Sequence, residues 1–277
     1  MTLPVLSCSI VLYNNDHEVL SNAIKSVLQC GLVQHLYLID HSPKPLYSDT
    51  FDDKRVHYQF MDTNKGYGAG HNIALHKSIA QKTPYHLVLN PDVHFDSGTL
   101  ECLMAYLSTH PDVGNIMPKV LYPDGRLQYL CKLLPSPYDW IGRRFNPVKK
   151  MVDKRNELFE LRFSGYNKIM EVPYLSGCFM LLNMKAIKET GFFDEQIFMY
   201  GEETDLCRRL IATGYKTIFF PDATIYHAFE KGSHKSFRLT KIGMQSAVYY
   251  FNKWGWFCDK ERKRINAKTL SQLAYNR

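Results

Sequence analysis

"HLVLNPDVHF" (86–95) is the stretch on which the reading of the fold turns. Leu87, Val88 and Leu89 form an apolar run of the kind a buried strand needs, and Asn90, Pro91 and Asp92 end it abruptly. One carboxylate therefore stands where a strand leaves the core. Asp92 is either a turn residue that stops the strand or a group that holds something, such as a metal ion; the segment alone leaves both open.

Outward from this stretch, strand and helix signals alternate. "VLSCSIVLY" (5–13), "HLYLID" (35–40), "VHYQFMD" (56–62) and "YHLVLN" (85–90) read as strands. Between them, Val19, Leu20, Ala23, Ile24, Val27 and Leu28 recur at helical spacing, Gly31 closes that helix, and 69–80 is helical. "SGTLECLMAYLSTH" (97–110) is a further helix, capped by Ser97 or Asp96, and "VGNIMPKVLY" (113–122) follows. Such alternation implies an α/β fold with a doubly wound, mostly parallel sheet flanked by helices, whose ligands bind at the carboxyl ends of the strands. Asp40, Asp62 and Asn90–Asp92 all fall at such ends.

Residues 123–171 break the rhythm with Pro, aromatic and basic residues, and read as a long excursion containing a short helix at 153–161. Regular structure returns with a strand at 172–182, a short helix at 184–191 and an amphipathic helix at 203–214 whose Leu206, Leu210 and Ile211 face inward. "YKTIFFPDATIYHAF" (215–229) reads as two short strands around Pro221–Asp222, and a last helix spans about 237–252. The expected division is a main domain over 1–236 and a helical, aromatic and basic segment over 237–277.

The totals narrow the classes. With 277 residues, 45% hydrophobic and 22% charged, the chain is globular and has material for a substantial core. Net charge is +7, a modest basic excess that suits anionic partners such as nucleotides, phosphates or an acidic membrane surface. The seven cysteines are scattered with no CxxC pair, which reads as reduced thiols in a cytosolic protein. The N-terminus has no basic leader and does not read as a signal peptide, and no apolar stretch reaches the roughly 20 residues that span a bilayer.

Four constellations carry possible chemistry. "NKGYGAGHN" (64–72) sets three glycines before a helix, where a backbone can approach a ligand and a helix N-terminus favours anions. Its spacing is not the dinucleotide pattern and it follows the third strand, so a Rossmann oxidoreductase is disfavoured; a plain tight turn is the other reading. "LNPDV" offers one carboxylate, which suffices for Mg²⁺ when phosphate and water supply the rest. "FMYGEETDLCRR" (198–209) gathers Glu202, Glu203 and Asp205 at a helix start; some complement the dipole or pair with Arg208 and Arg209, and one could serve as a general base. "YHAFEKGSHKS" (226–236) places His227, Lys231, Ser233, His234 and Lys235 in a loop, residue types that bind metals and phosphates.

Taken in order, "SIVLYNN", "LID", "NKGYGAGHN", "LNPDV", "YPDGRLQ", "SGCFMLL", "GFFDEQIFMYGEETDLCRR" and "IYHAFEKGSHKS" resemble family 2 glycosyltransferases of the GT-A fold, most of all the rhamnosyltransferase-like members that build O-antigens and other bacterial surface polysaccharides. The resemblance covers about residues 5–255. It implies a nucleotide-sugar donor (dTDP- or UDP-linked), a divalent cation (Mg²⁺ or Mn²⁺), and single-displacement transfer with inversion to a saccharide acceptor, often lipid-linked. By the same resemblance Asp40 meets the base edge, Tyr13 and Asn14 flank the base, and Asn64, Gly66 and Asn72 lie along the nucleotide. Asn90 stands where the family has the first Asp of its D-x-D signature, so Asp92 alone supplies the carboxylate. Ser176, Gly177 and Cys178 match the segment on the acceptor side of the donor site, with Ser176 and Gly177 counted among the nucleotide-sugar-binding residues; Glu203 takes the position of the catalytic base with Glu202 beside it, His227 completes the metal shell, and Lys231 and Ser233 sit near the diphosphate.

"VYYFNKWGWFCDKERKR" (248–264) mixes aromatic and basic residues as interfacial segments do, which points to peripheral contact with the inner membrane; a C-terminal helix packed on the domain is the alternative. Two rival classes remain in view. A sugar-phosphate nucleotidyltransferase would place glycines and a basic residue after the first strand, where this chain has "YNNDHE". A nucleic-acid-binding module would need a recognition-helix or RNP-type pattern, which is not found, so no nucleic-acid partner is expected.

Overall fold

The computed structural model describes residues 3–47, 51–228 and 237–275. The chain opens with β1 (Leu6–Leu12), α1 (His17–Leu28), β2 (Val33–Asp40), β3 (Val56–Phe60), α2 (Tyr67–Ala80) and β4 (Tyr85–Leu89). It continues through β5 (Val93–His94), α3 (Thr99–Thr109), β6 (Val113–Leu121) and β7 (Cys131–Lys132). After a single π-helical turn (Tyr138–Gly142) come α4 (Arg143–Phe145), α5 (Lys149–Phe159), a 3₁₀ turn (Arg162–Ser164), β8 (Met170–Glu171) and β9 (Tyr174–Leu175). The last elements described are β10 (Phe179–Asn183), α6 (Met184–Thr190), α7 (Glu202–Ala212), β11 (Lys216–His227), α8 (Phe237–Trp254) and α9 (Lys260–Gln272).

The main sheet runs β3-β2-β1-β4-β10-β6-β11-β5, with β8 also paired to β11. Neighbours are parallel from β3 to β4 and again between β6 and β11; β10, β5 and β8 run against them. Alternation along the strands explains the layers. Val11, Tyr37 and Ile39 meet Ala74 of α2, while Cys8, Ile10, Leu36 and Leu38 share the main core with Leu20, Ala23 and Val27 of α1. Helices thus cover both faces, as a doubly wound sheet requires, and both alternating sets of strand residues are apolar.

Several elements differ from the sequence reading. The segment 172–182 is two strands, because Ser176–Cys178 break it and β9 leaves the main sheet to pair with β7. The reverse holds for 215–229: β11 is one strand, since it resumes pairing with β6 after Pro221, Asp222 and Ala223 bulge out between Phe220 and Thr224. Neither Ser97 nor Asp96 caps α3 with its side chain; Gly98 takes the cap position. The excursion at 123–171 is stitched into the fold through β7, which pairs with β9, and β8, which pairs with β11. Its Trp140 and Ile141 pack on Ala247, Tyr250 and Phe251 of α8. Behind this cluster, Arg208 of α7 forms a two-pronged ion pair with Asp259 at 2.6 and 2.8 Å, both side chains buried. Asp259 also caps α9 by accepting from the Arg262 N–H.

Candidate functional site

Parallel strands deliver their carboxyl ends to one edge of the sheet, and the antiparallel β10 brings its amino end to the same edge. Asn90 follows β4 there, and its N–H donates to the Cys178 carbonyl (2.9 Å) just before β10. β5 then pairs with the end of β11, setting His227 opposite Val93, and the Ala228 N–H donates to the Asp92 carbonyl (3.0 Å). This short clip is why residues 135 positions apart become neighbours: His227 Nε2 lies 3.4 Å from Asp92 Oδ1 and 3.5 Å from the Asn90 amide.

Gln128 fixes the orientation of that imidazole. Its amide donates to the His227 carbonyl (2.7 Å), and its Oε1 lies 3.1 Å from His227 Nδ1, so Nδ1–H donates and Nε2 is left facing Asp92. Burial disfavours the imidazolium, but the Cys178 sulfur and the Asp92 carboxylate outweigh it and raise the His227 pKa. The Asp92 side chain keeps 29% of its surface open and His227 only 4%, so the carboxylate faces the cleft and the ring backs it. No group of three or more carboxylate, imidazole or thiol donors gathers among the described residues. One carboxylate and one imidazole whose Nε2 has given up its proton, with phosphate oxygens and water completing the shell, would fit a divalent cation held with a diphosphate.

From Asn90 a continuous chain of contacts leads to the acidic helix start. The Tyr67 hydroxyl sits 2.9 Å from Asn90 Oδ1 and 2.8 Å from the Gly177 carbonyl, bolting β4 to the start of β10. Burial, reinforced by Glu202, Glu203 and Asp92 among its neighbours, holds the Tyr67 phenol well above its ordinary pKa, so it stays a donor. A Cβ on Gly177 would lie 3.4 Å from the Glu203 side chain. Glu203 Oε1 accepts from the Tyr174 hydroxyl (3.0 Å) and Oε2 from the Gly201 N–H (3.0 Å). On its far side Glu203 borders a cavity of about 200 Å³ whose walls include Lys132, Trp140, Arg143, Tyr174 and Met244. Gly201 makes that wall possible: it holds φ 104° and a side chain there would strike the Trp140 ring at 2.2 Å.

The adjacent acids are not equivalent. Glu202 is buried, its Oε2 lacks a partner, and its Cβ faces Gly68 beneath the glycine loop. Burial, then the Glu203 charge, pushes its pKa well up. Asp205 is committed to structure: it accepts from Arg209 (2.7 Å), Trp254 (2.8 Å) and Lys253 (2.8 Å).

The glycine motif has a packing role that its sequence pattern does not show. Gly66 has φ 99° and a Cβ there would sit 2.2 Å from the Phe198 carbonyl; at Gly68 it would meet Phe193 and at Gly70 Val11. The glycines press α2 between β1 and the 191–201 loop, which gives each of them a packing reason beside the nucleotide contact expected of Gly66. Asn72 is buried, donates to the Phe193 carbonyl (3.0 Å) and Glu195 (2.9 Å), and accepts from the Phe193 N–H (3.0 Å). It pins that loop and presents nothing to the cleft. Asp40 reaches the edge but has 0% exposure; it accepts from the N–H groups of Ser42 and Leu46 and from the Tyr58 hydroxyl. In this structure it shapes the loop beside Tyr13 and Asn14, which are exposed, and Asn14 is anchored by donating to Ser42 Oγ (2.8 Å). Asn64 is exposed and accepts from the Gly66 N–H (2.9 Å), while Ser176 Oγ accepts from the Cys178 N–H (3.4 Å). Lys231 and Ser233 lie outside the described residues. Tyr67 and Gln128 were missed; both stand inside quoted motifs, but neither residue type announces a role until its distant partner is known.

A mostly parallel α/β sheet with these polar strand ends and an acidic helix beside them defines the GT-A class of glycosyltransferase fold. Residues 47–242 match the family described as "Glycosyltransferase like family 2", well over half of the chain, and the chain belongs to that family. It is 28% identical over 176 residues to the N-acetylglucosaminyl-diphospho-decaprenol L-rhamnosyltransferase of Mycobacterium tuberculosis, covering 58% of this chain and 56% of that one. The match thus spans little more than half the length of that relative. Rhamnosyltransferase WbbL of Escherichia coli is 26% identical over 242 residues, covering 81% of this chain and 83% of that one. Among solved structures, GalNAc-T7 with UDP, GalNAc and Mn²⁺ shares the fold at a TM-score of 0.65 and 14% identity, over 98% of this chain and 55% of that chain. TarS of S. aureus does so at 0.57 and 14%, over 97% and 43%.

Proposed function

We propose that this chain is an inverting glycosyltransferase that moves a sugar from a nucleoside diphosphate donor to a hydroxyl of a saccharide acceptor. The observation that carries the reading is the position of Glu203. Its carboxylate stands between the Asn90–Asp92–His227 edge and an open cavity, held by Tyr174 and Gly201. A base so placed takes the proton of an acceptor hydroxyl as its oxygen attacks the anomeric carbon and the bond to the diphosphate breaks, the electron pair leaving with the phosphate. Asp92 and His227 would hold a divalent cation (Mg²⁺ or Mn²⁺), which neutralises charge on the departing diphosphate when bound. Lys231 and Ser233 are proposed near that diphosphate, and Tyr13 and Asn14 beside the base.

A deoxyhexose such as rhamnose, from dTDP-rhamnose, is the proposed donor sugar, supported by the rhamnosyltransferases among the relatives. A UDP-linked sugar is the second choice. The acceptor proposed is lipid-linked, in surface polysaccharide (O-antigen type) synthesis, which would place the chain in the cytoplasm and peripherally on the inner membrane. No helix among the described residues is long and apolar enough to cross a membrane. Phe257, 75% exposed beside basic α9, supports surface contact, whereas Tyr250 and Phe251 of the same aromatic segment are buried.

The test is a thermal-shift screen with dTDP, UDP and GDP, each with and without Mn²⁺, followed by a donor-turnover screen. Metal-dependent stabilisation by one diphosphate, abolished by Asp92→Ala, is expected. Stabilisation by duplex DNA alone, or nucleotidyl transfer to a sugar phosphate, would replace the reading. Co-sedimentation with anionic liposomes checks the membrane contact separately.

A further inference from the structure

A glutamate carboxylate turns easily about its last torsion, because rotation about an sp³–sp² bond has broad wells. Fixing its plane takes a donor on each oxygen. For Glu203 the backbone supplies one, the Gly201 N–H, 3.0 Å from Oε2, and no side-chain substitution removes it. The Tyr174 hydroxyl supplies the other, 3.0 Å from Oε1. Burial first, then the Glu203 charge, hold the Tyr174 phenol well above its ordinary pKa, so it keeps its proton and donates.

Tyr174 is itself held by a separate piece of structure. It lies on β9, which packs against α7 and leaves the main sheet to pair with β7, and the ladder sets Lys132 directly opposite Tyr174. The Lys132 ammonium stands 5.2 Å from the centre of the Tyr174 ring, whose face attracts a cation. A cation there draws electron density from the phenol and makes its O–H a stronger donor toward Glu203. Burial presses the Lys132 pKa down, while Glu160 and Glu203 act against it and support the ammonium. The strand that carries Lys132 is fixed in turn. The Cys131 N–H donates to the Tyr166 hydroxyl (3.0 Å), which lies 2.7 Å from the Glu160 carbonyl. Just past β7, Asn266 of α9 accepts from the Leu134 N–H (2.8 Å) and donates to the Leu134 carbonyl (2.9 Å).

We propose that Tyr174 is a positioning residue for Glu203 and that Lys132 acts through Tyr174, so that the two-stranded sheet β7–β9 is a mount that aims the carboxylate toward the cavity. This rests on the reading of Glu203 as the base of a transferase and goes beyond it by naming what sets the aim. The mount is built from the 123–171 excursion and steadied by α9, outside the main sheet that carries Asn90 and Asp92.

The experiment measures turnover, with the nucleotide sugar found in the donor screen and Mn²⁺, for wild type, Tyr174→Phe, Lys132→Ala and Lys132→Arg, each alone and combined with Glu203→Gln. Tyr174→Phe should lower kcat about tenfold, while donor KM and the thermal shift with dTDP or UDP stay within about twofold of wild type. Lys132→Ala should lower kcat about threefold, and Lys132→Arg should keep it. Once Tyr174 is Phe, Lys132→Ala should cost nothing more, and once Glu203 is Gln neither change should cost anything, because each group acts through the next. Full kcat in Tyr174→Phe, or losses that multiply with that of Glu203→Gln, overturns the proposal. Crystal structures of wild type and Tyr174→Phe give a readout that needs no turnover. The plane of the Glu203 carboxylate should rotate in the variant, and an unmoved carboxylate overturns the proposal. If wild type shows neither a donor-diphosphate shift nor transfer, the transferase reading falls by itself, and the rotation still decides the mount.

Discussion

The two sides of Glu203 are built on opposite plans. On the donor side, strand ends of the main sheet place Asn90, Asp92 and His227, and Tyr67 and Gln128 hold them by specific hydrogen bonds. On the far side the cavity is walled by the 123–171 excursion, the π-helical turn and α8, with aromatic surface and Lys132. The first is an edge that the sheet makes rigid and whose polar groups are largely committed. The second is assembled from appended elements. Under the proposed function, the contrast puts the groups for the shared chemistry on the sheet and those that would choose the partner on what was added to it.

The largest expected effect tests the junction itself. Glu203→Gln should lower kcat by roughly 10²–10⁴-fold with donor binding retained, since it keeps the shape and removes the base. Glu202→Gln should leave kcat nearly intact, and a loss equal to that of Glu203→Gln would break the assignment of roles. The Glu202 pKa is raised in the fold, so its stabilising protonated form is fully present below the ordinary value of 4.5 and is lost as pH climbs toward the raised folded value. The Tm of Glu202→Gln relative to wild type should therefore rise with pH above that point, as scanning calorimetry across pH 5–8 would show.

Next in size is the tie behind the cavity. Asp259→Ala strands a buried Arg208 and should cost about 3–5 kcal/mol in urea unfolding. If the cavity depends on α8 and α9 as described, acceptor KM should worsen before the donor-diphosphate shift does. On the donor side, Gly66→Ala combines a positive φ with contact against the Phe198 carbonyl and should cost about 2 kcal/mol or more. A stable Gly66→Ala variant that had lost only nucleotide binding would put the nucleotide contact ahead of the packing reason. The smallest effect is that of Tyr67→Phe, which removes one hydroxyl shared by Asn90 and Gly177. It should weaken donor binding about fivefold, near 1 kcal/mol, with little change in acceptor KM.

How far each part was legible follows from its physics. Buried strands need apolar runs and the helices between them need a 3.6-residue stripe, so the order of β1 to β4 and β6 is written locally, while the two-residue β5 is not. Asp92 could be singled out because a carboxylate stands just past such a run, but the choice between turn residue and ligand group needed its neighbour His227. Tyr67, Gln128 and Lys132 could not be, because their partners lie 110, 99 and 42 residues away at Gly177, His227 and Tyr174. Asn72 and the glycines carried a signal whose packing partner the sequence does not show. A motif shows that a position is constrained, and only the neighbour, here the 191–201 loop, shows by what.

The sequence by itself determined the α/β alternation, the polar strand ends and the set of acids, cations and aromatics from which a transfer site could be built. The resemblance put Glu203 at the position of the base, and only the tertiary structure shows the physical difference between the two consecutive glutamates. Consecutive residues on a helix point about 100° apart, so Glu202 turns into the space beneath the glycines and Glu203 into the gap between edge and cavity. That difference is set by what packs around α7, and no local pattern contains it.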